Sequence, residues 1–346
     1  MKLLQNLLRQ AEPKKNIPIL MYHGFIDQKK SHGIENYHGK HLHIEKFEEQ
    51  ICYLKKYYKI ISLARLVDAY KNGTELPPRS VLITFDDGYA SNYHLAYPVL
   101  KKYQAVVAIF VATDFVEKKY FLWVDRIEHS ISQTIQKELR INFEDKECVY
   151  SLATDALKKK TDSEIKKKLK RMSAQDCASI VNAIESKLQA KLSFNSSVPA
   201  MYLPITPAQI KEMVDSNLVT IGSHTSSHVI MTACSIEEMR TELEKSKMRL
   251  EKITGRPCKL FSYPNGELRD FNNDSKEICP VCSKRLMLPN ETPERSANWL
   301  CDKPICFLMI LCLKASTSKK SYGFFSIPNF AIIANILAKD TKIRAK

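Results

Sequence analysis

The stretch SVLITFDDGY, residues 80–89, decides the fold class. Its first six residues are mostly apolar or β-branched, which predicts a strand buried on both faces, as in a parallel sheet. Asp86, Asp87 and Gly88 then end the strand abruptly. Because side chains alternate along a strand, one carboxylate can face a metal ion while the other reaches an adjacent water. For this segment alone, a surface turn is the alternative.

The same texture continues on both sides of this strand. Short apolar runs alternate with amphipathic stretches, which indicates an α/β fold with parallel strands. The predicted strands are IPILMYH (17–23), SVLITF (80–85), AVVAIFVAT (105–113), LVTIGSH (218–224) and KLFSYP (259–264). The predicted helices cover residues 44–58, about 92–103, 206–217 and 235–255.

Two helix starts and one helix end carry specific capping signals. Thr206 can cap the helix that begins with Pro207. Ser235 and Glu238 have the spacing of a capping box, in which each side chain bonds the other residue's backbone. Gly255 suits the left-handed position that follows a helix.

Two segments depart from the βα alternation. Lysine runs among helix formers, such as residues 158–160 and 166–171, predict a helical, basic insertion over about 117–203. No βα rhythm is visible from about residue 279 to 321, and SIPNFAIIANILAK (326–339) returns to a helical pattern. We therefore place one main domain at residues 14–280 and an atypical C-terminal segment at 281–346.

The composition limits the function classes. A chain of 346 residues with 44% hydrophobic residues can bury a real core, and its formal charge is +15. Such a charge suits nucleic acid, an anionic membrane face, an acidic polysaccharide or merely a solvated lysine-rich surface. No recognition-helix module and no basic surface with interleaved aromatic residues is recognisable, so nucleic-acid binding is not expected.

The N-terminal residues MKLLQNLLRQAEPKK contain neither the apolar core of a secretory signal nor a membrane span. Four leucines at positions 3, 4, 7 and 8 would share one helical face, which could touch a membrane surface but is expected to dock on the protein body. The ten cysteines are expected to be reduced thiols. We expect a monomer that is cytoplasmic or peripheral to a membrane.

A second chemical segment, SHTSSH at residues 223–228, follows a predicted strand. If the segment were helical, His224 and His228 would share one face and could bind one metal ion. Two imidazoles and one carboxylate suit zinc and other first-row metals, and they leave positions for water and substrate. A third segment, FSYPNG (261–266), places an aromatic residue, a proline and a glycine at a strand end, a rigid rim suited to a sugar ring.

Together and in this order, TFDDGY, SHTSSH and FSYPNG resemble the polysaccharide deacetylases of carbohydrate esterase family four, over roughly residues 17–115 and 203–278. The resemblance implies a distorted (β/α) barrel of fewer than eight units and removal of N-acetyl groups from amino sugars in a polysaccharide or glycan. It implies one divalent metal ion, with zinc preferred. By position, Asp86 would be the general base, the backbone N–H of Tyr263 would bind the oxyanion, and Asp87, His224 and His228 would hold the metal.

The leaving amine also needs a proton donor. Many relatives supply a histidine from a C-terminal segment, but no histidine follows His228 in this chain. His23 ends the first predicted strand, as in the permuted arrangement of poly-N-acetylglucosamine deacetylases, so we assign the acid role to His23. A purely structural His23 is the alternative.

Further candidates rest on position alone. Tyr89, Pro264 and Trp123 are candidate substrate contacts, and Asp125 is a candidate supporting carboxylate. Many relatives have an arginine in the third segment that tethers the base, whereas Ser262 occupies this place here.

Two other functions stay open. The atypical text between residues 278 and 321 would fit a catalytically decayed or carbohydrate-binding pseudoenzyme of the same fold. Four cysteines could instead form a zinc ribbon, although one pair has an unusual spacing: Cys279, Cys282, Cys301 and Cys306.

Overall fold

The computed structural model describes residues 1, 4–6, 8, 17–28, 33–143, 146–194, 198–267, 269–278, 325–327 and 330–334. In chain order the strands are β1 (Ile17–Tyr22), β2 (Gly24–Ile26), β3 (His41–His43), β4 (Lys59–Ile60), β5 (Ser80–Phe85), β6 (Val107–Val111), β7 (Glu138–Phe143), β8 (Lys146–Ser151), β9 (Val219–Ser223), β10 (Phe325–Ile327) and β11 (Phe330–Ala334).

The helices lie between these strands. The α-helices are α1 (Ile44–Tyr57), α2 (Leu63–Asn72), α3 (Tyr97–Tyr103), α4 (Thr113–Val116), α5 (Trp123–Gln133), α6 (Asp155–Leu169), α7 (Ala174–Leu188), α8 (Pro207–Asp215), α9 (Ile236–Thr254) and α10 (Asn273–Ile278). A π-helical turn (Asn92–Ala96) precedes α3, and two 3₁₀ turns cover Ala200–Tyr202 and Met231–Ala233.

Seven of the described strands form the central sheet, in the order β10-β11-β1-β5-β6-β9, with β4 also paired to β5. Every pair is parallel except β10 with β11. The predicted α/β class with a parallel sheet is therefore confirmed. Closure of this sheet into a barrel stays a prediction, because the described strands form an open path.

Alternate residues of the sheet enter different hydrophobic clusters. In β1, Leu20 and Tyr22 belong to one cluster, while Ile19 and Met21 belong to the other. All four side chains are at most 4% exposed. Burial on both faces explains why these strands read as continuous apolar runs.

The capping signals read from the sequence are confirmed. Thr206 caps α8 in a capping box with Gln209, and Pro207 lies in its first turn. Ser235 and Glu238 form a second capping box at the start of α9. Gly255 ends α9 with φ of 65°. The boundaries of both helices are therefore encoded locally.

The segment predicted as a helical insertion contains α5, α6 and α7, but also an antiparallel hairpin of β7 and β8 that the helical prediction missed. In β7, Leu139, Ile141 and Phe143 are buried and alternate with exposed residues. This two-residue period is present in the sequence and indicates a strand. Hairpin and helices share a hydrophobic cluster that also includes Ile34. That the segment is an insertion stays a prediction.

Two further predictions about secondary structure were wrong. Residues 259–264 form no strand, and only Phe261 makes an isolated bridge, to Ser223. Residues 330–334 are not helical but form β11, which pairs with β1 from Ile17–Phe330 to Met21–Ala334. Phe330 and its isoleucine-rich continuation suit an extended strand as well as a helix, and pairing with β1 decides between them. The four cysteines of the zinc-ribbon alternative lie outside the described residues.

The described N-terminal residues pack on the domain. Leu4 and Leu8 are fully buried within the cluster on one face of the sheet, as expected for docking. Among the described helices, none is both long and apolar enough to cross a bilayer. The described cysteines are free thiols: Cys52, Cys148, Cys177, Cys234 and Cys258.

Candidate active site

The register of β1 and β5 brings His23 and Asp86 to one edge of the sheet. Tyr22 pairs with Phe85, and the Asp86 amide donates to the Tyr22 carbonyl at 2.9 Å. His23 and Asp86 are the next residues along the two strands. Both are buried, and both line one cleft. Gly24 then permits close packing, since a Cβ there would lie 2.0 Å from His41 Nδ1.

The Asp86-Asp87-Gly88 turn depends on left-handed backbone conformations. Asp87 has φ of 77° and Gly88 has φ of 91°. The Gly88 amide donates to the Asp86 carbonyl at 3.0 Å. A Cβ on residue 88 would also lie 3.1 Å from Val111 Cγ1, so glycine is required both by the conformation and by the space. As a result both carboxylates are buried and line the cleft.

The two histidines of SHTSSH meet through an irregular loop, not through a helix. His224 follows β9, and its amide donates to the Val111 carbonyl at 3.0 Å. Thr225 has φ of 63° and His228 has φ of 58°, both left-handed. The helical geometry considered from the sequence is therefore wrong, although the imidazoles do come together, with ring centroids 5.0 Å apart.

Asp87, His224 and His228 form a compact cluster of donor atoms within 4.8 Å of one another. Asp87 Oδ1 lies 3.1 Å from His228 Nε2 and 3.5 Å from His224 Nε2. Burial alone raises the pKa of Asp87, but the hydrogen bond and charge of His228 outweigh this effect. With help from His23 and His224, they hold the pKa well below its usual value. Asp87 is thus a carboxylate at neutral pH.

This donor set fits a divalent metal ion. One carboxylate oxygen and two imidazole nitrogens are the mixed ligands that zinc accepts. His224 Nδ1 lies 2.8 Å from the Ser262 carbonyl oxygen, which can only accept, so Nδ1 carries a hydrogen. When the ring is neutral, the lone pair is therefore on Nε2, the nitrogen that faces Asp87. His228 Nδ1 is buried without a hydrogen-bond partner among the described residues, and its Nε2 faces Asp87.

The third segment lies beside the histidine loop. The Ser262 amide donates to the Ser223 carbonyl at 2.9 Å, which ties this segment to the end of β9. Tyr263 lines the cleft, and its hydroxyl donates to the Ser275 carbonyl at 2.9 Å. Pro264 is buried but is not among the residues that line the cleft. Ser262 is also buried and absent from the lining.

Of the remaining candidate residues, Trp123 lines the cleft, whereas Tyr89 and Asp125 are buried and do not line it. Trp123 lines the cleft and is half-buried. Tyr89 is fully buried beneath the cleft, which does not favour the predicted contact with substrate. Its hydroxyl donates to Asp125 at 2.7 Å and accepts from Lys40 at 2.6 Å. Burial raises the pKa of Asp125, and the Lys40 ammonium, with which it pairs, opposes this rise.

Sequence reasoning missed several residues of the cleft. Lys40, Lys170 and Asn265 line it, although no motif marks the lysines. Asn265 belongs to the FSYPNG segment, but the sequence assigns it no catalytic or binding role. Lys40 could have been noticed because it lies between His38 and His41, in a histidine-rich stretch that follows the first strand. Its partner Asp125 is 85 positions away, so the pairing is not visible in the sequence.

The chain belongs to the polysaccharide deacetylase family, whose family model matches residues 73–279, more than half of its length. The resemblance read from the three motifs is therefore confirmed. The matched range contains Asp86, Asp87, His224, His228 and Tyr263, whereas His23 lies before it.

Three known proteins illustrate the relationship. The poly-β-1,6-N-acetyl-D-glucosamine N-deacetylase of Staphylococcus aureus is 36% identical over 95 residues, 27% of this chain and 30% of that protein. Its namesake in Escherichia coli K12 is 39% identical over 57 residues, 16% of this chain and 8% of that protein. A solved de-N-acetylase from Aggregatibacter actinomycetemcomitans has a TM-score of 0.46 at 16% identity, over 76% of this chain and 83% of that one. The matched segments span less than a third of either curated relative.

Proposed function

We propose that this chain hydrolyses N-acetyl groups of amino sugars in an N-acetylglucosamine-containing polysaccharide or glycan and releases acetate. One observation carries the proposal: Asp86, His23 and the Asp87–His224–His228 cluster line a single cleft. The substrate class is taken from the names of the relatives. The pseudoenzyme alternative is not favoured, because no proposed catalytic group is missing from the cleft.

Asp87, His224 and His228 would hold one divalent metal ion, most simply zinc. Such an ion supplies Lewis-acid polarisation of a carbonyl and activates water for attack. The buried carboxylate of Asp87 and the fixed tautomer of His224 prepare two of the three ligands before an ion binds.

The residues of the chain then divide the proton transfers. Asp86 takes a proton from the attacking water as the water oxygen bonds to the acetamide carbon. The backbone N–H of Tyr263 donates to the carbonyl oxygen as its negative charge develops. His23 protonates the sugar nitrogen while the C–N bond breaks, so that amine and acetate leave. Trp123, at the cleft, would contact the sugar.

The finer features of the fold and of the protein's setting are proposals, of which the barrel rests on the resemblance and the insertion on the lysine-rich text. We propose a distorted barrel of fewer than eight units, a catalytic domain at residues 14–280 that carries an insertion over about 117–203, and a monomer. Strands β10 and β11 of the C-terminal segment join the sheet of this domain. We propose that any contact of the protein with a membrane is peripheral, at the membrane surface.

The test is acetate release from N-acetylglucosamine oligomers, with chelator and after zinc is restored. His228→Ala should lose the bound ion and activity, while exposed His94→Ala should keep both. Asp86→Asn should keep fold and ion but lose at least about a hundredfold in turnover. Asp68→Asn, at a half-exposed carboxylate, is the matched control.

Three results would count against the proposal. Acetate release that is unaffected by chelator would exclude the metal. Equal metal content in the wild type and His228→Ala would exclude the ligand set. If Asp86→Asn loses the ion while Asp87→Asn retains it, the two carboxylates have the opposite roles.

A further inference from the structure

The loop between the two histidines of the candidate metal site is conformationally demanding. It carries two non-glycine residues in the left-handed region, Thr225 at φ of 63° and His228 at φ of 58°. Side chains with a Cβ rarely adopt this conformation, and such residues persist only where their surroundings fix them. Some other part of the chain must therefore hold this loop.

A single carboxylate from helix α9 reaches the middle of the loop. Glu242 Oε2 accepts from the Ser226 amide at 2.9 Å and from the Ser227 amide at 2.7 Å. Glu242 Oε1 accepts from the Ser227 hydroxyl at 2.7 Å. These three bonds bind the two residues that lie between Thr225 and His228. Bonds to an ionised carboxylate are about twice as strong as neutral ones.

Two neighbours on the same face of α9 support this contact. Ser246, four residues after Glu242, shares a hydrogen bond of 2.8 Å with Ser223, the last residue of β9. Arg249, seven residues after Glu242, donates to the Ser226 hydroxyl at 2.7 Å and pairs with Asp114. Positions i, i+4 and i+7 lie on one side of a helix, so this side of α9 faces both the loop and the end of β9.

We infer that Glu242 is a positioning residue that sets the geometry of the His224–His228 ligand pair. The inference rests on the proposed function, since it presupposes that this pair binds a metal ion. Glu242 does not line the cleft, so it acts through the loop and not on substrate. With the loop fixed in advance, ion binding need not supply the free energy of ordering two left-handed residues. Loss of such supporting groups typically weakens metal affinity about 10–100-fold.

Two variants and one control separate this role from general stability. Glu242→Ala removes all three acceptors. Glu242→Gln keeps one oxygen for the two backbone amides but removes the charge. Glu244→Ala changes an exposed glutamate of the same helix and is the control. Zinc affinity is measured on the metal-free, full-length folded proteins by competition with a chelating dye.

We expect Glu242→Ala to bind zinc about 10–100-fold more weakly, Glu242→Gln to show a smaller loss, and Glu244→Ala to match the wild type. At saturating zinc, Glu242→Ala should recover most of its turnover, because Glu242 touches no reacting atom. In the metal-free protein, amide hydrogen exchange at Ser226 and Ser227 should accelerate in Glu242→Ala.

Wild-type zinc affinity in Glu242→Ala and Glu242→Gln would overturn the inference, as would unchanged exchange at Ser226 and Ser227. If Glu242→Ala does not fold, Glu242→Gln alone decides, and wild-type affinity there would overturn it. A wild-type protein that binds no zinc would instead refute the proposed metal site, while the amide exchange would still report whether Glu242 holds the loop.

Discussion

Replacement of Lys40 by methionine tests the buried ion pair between Lys40 and Asp125. The Asp125 side chain is 1% exposed, and Lys40, at 18%, is its ion-pair partner. Tyr89, which bonds both groups, is the other polar contact of this carboxylate that the structure shows. Lys40→Met keeps the length of the aliphatic chain but leaves Asp125 buried with one phenol donor. Removing one partner of a buried ion pair costs about 3–5 kcal/mol of unfolding free energy.

The loss of unfolding free energy in Lys40→Met should depend on pH, because it comes from a buried carboxylate. Burial raises the pKa of Asp125, and Lys40 is the largest opposing influence, so Lys40→Met should raise this pKa further. The folded state then binds a proton more readily than the unfolded state. The destabilisation should accordingly be full above the raised pKa and shrink as pH falls through it.

The measurement is denaturant unfolding of the metal-free protein as a function of pH, in steps from about pH 8 down to about pH 5. The double variant Lys40→Met with Asp125→Leu should be less destabilised than the sum of the single variants, by roughly 0.5–3 kcal/mol. The control Lys102→Met removes an exposed partner of Glu48 and should matter much less. Additive single effects, or a Lys40→Met deficit that grows at low pH, would refute the reasoning.

Two further predictions concern the cleft itself. His23→Ala should spare metal content and thermal stability but depress amide hydrolysis and flatten the alkaline limb of its pH–rate profile, whereas hydrolysis of an activated ester should fall far less. If both reactions fall equally, or neither falls, His23 is only structural. Gly88→Ala should lower the unfolding free energy by more than about 1 kcal/mol, because φ is 91° and Val111 Cγ1 lies 3.1 Å from the added Cβ. Wild-type stability by denaturant titration would contradict this, and Gly73→Ala, at φ of 66° but in open space, measures the conformational part alone.

The strands of the sheet could be predicted because their pattern is local and their burial is two-sided. Runs such as residues 80–85 and 107–111 are apolar or β-branched at every or nearly every position, and the structure buries both faces. Helix boundaries were equally readable where capping boxes mark them, as at Ser235. Each of these features is fixed by residues a few positions apart, so one sequence suffices to recognise it.

Features that depend on distant partners could not be predicted in this way. β11 has a sequence compatible with a helix, and its pairing with β1 joins residues about as far apart as the chain allows. The contacts of Glu242 with the histidine loop span 15 and 16 positions and follow no motif. The hairpin of β7 and β8 is a different case. Apolar and polar residues alternate along β7, which indicates a strand, but the lysine-rich text around it is typical of helices and favours a helical interpretation of the whole segment.

The strand order also explains how residues from distant motifs can share one cleft. His23 and Asp86 follow adjacent strands, β1 and β5, so the proposed acid and base are neighbours by register. Asp87 and His224 follow β5 and β9, which are separated by β6. The end of β6 supplies no ligand, but its backbone is hydrogen-bonded to the backbones of Asp87 and His224.

These bonds are made by the backbone of Val111, the last residue of β6, and of Ala112, which follows it. The Ala112 amide donates to the Asp87 carbonyl at 3.2 Å, and the Val111 carbonyl accepts from the His224 amide at 3.0 Å. The backbones of two ligands that follow non-adjacent strands are thereby hydrogen-bonded to one segment before any ion binds. The third ligand, His228, follows a loop and no strand. Glu242 of α9 bonds this loop from outside the sheet.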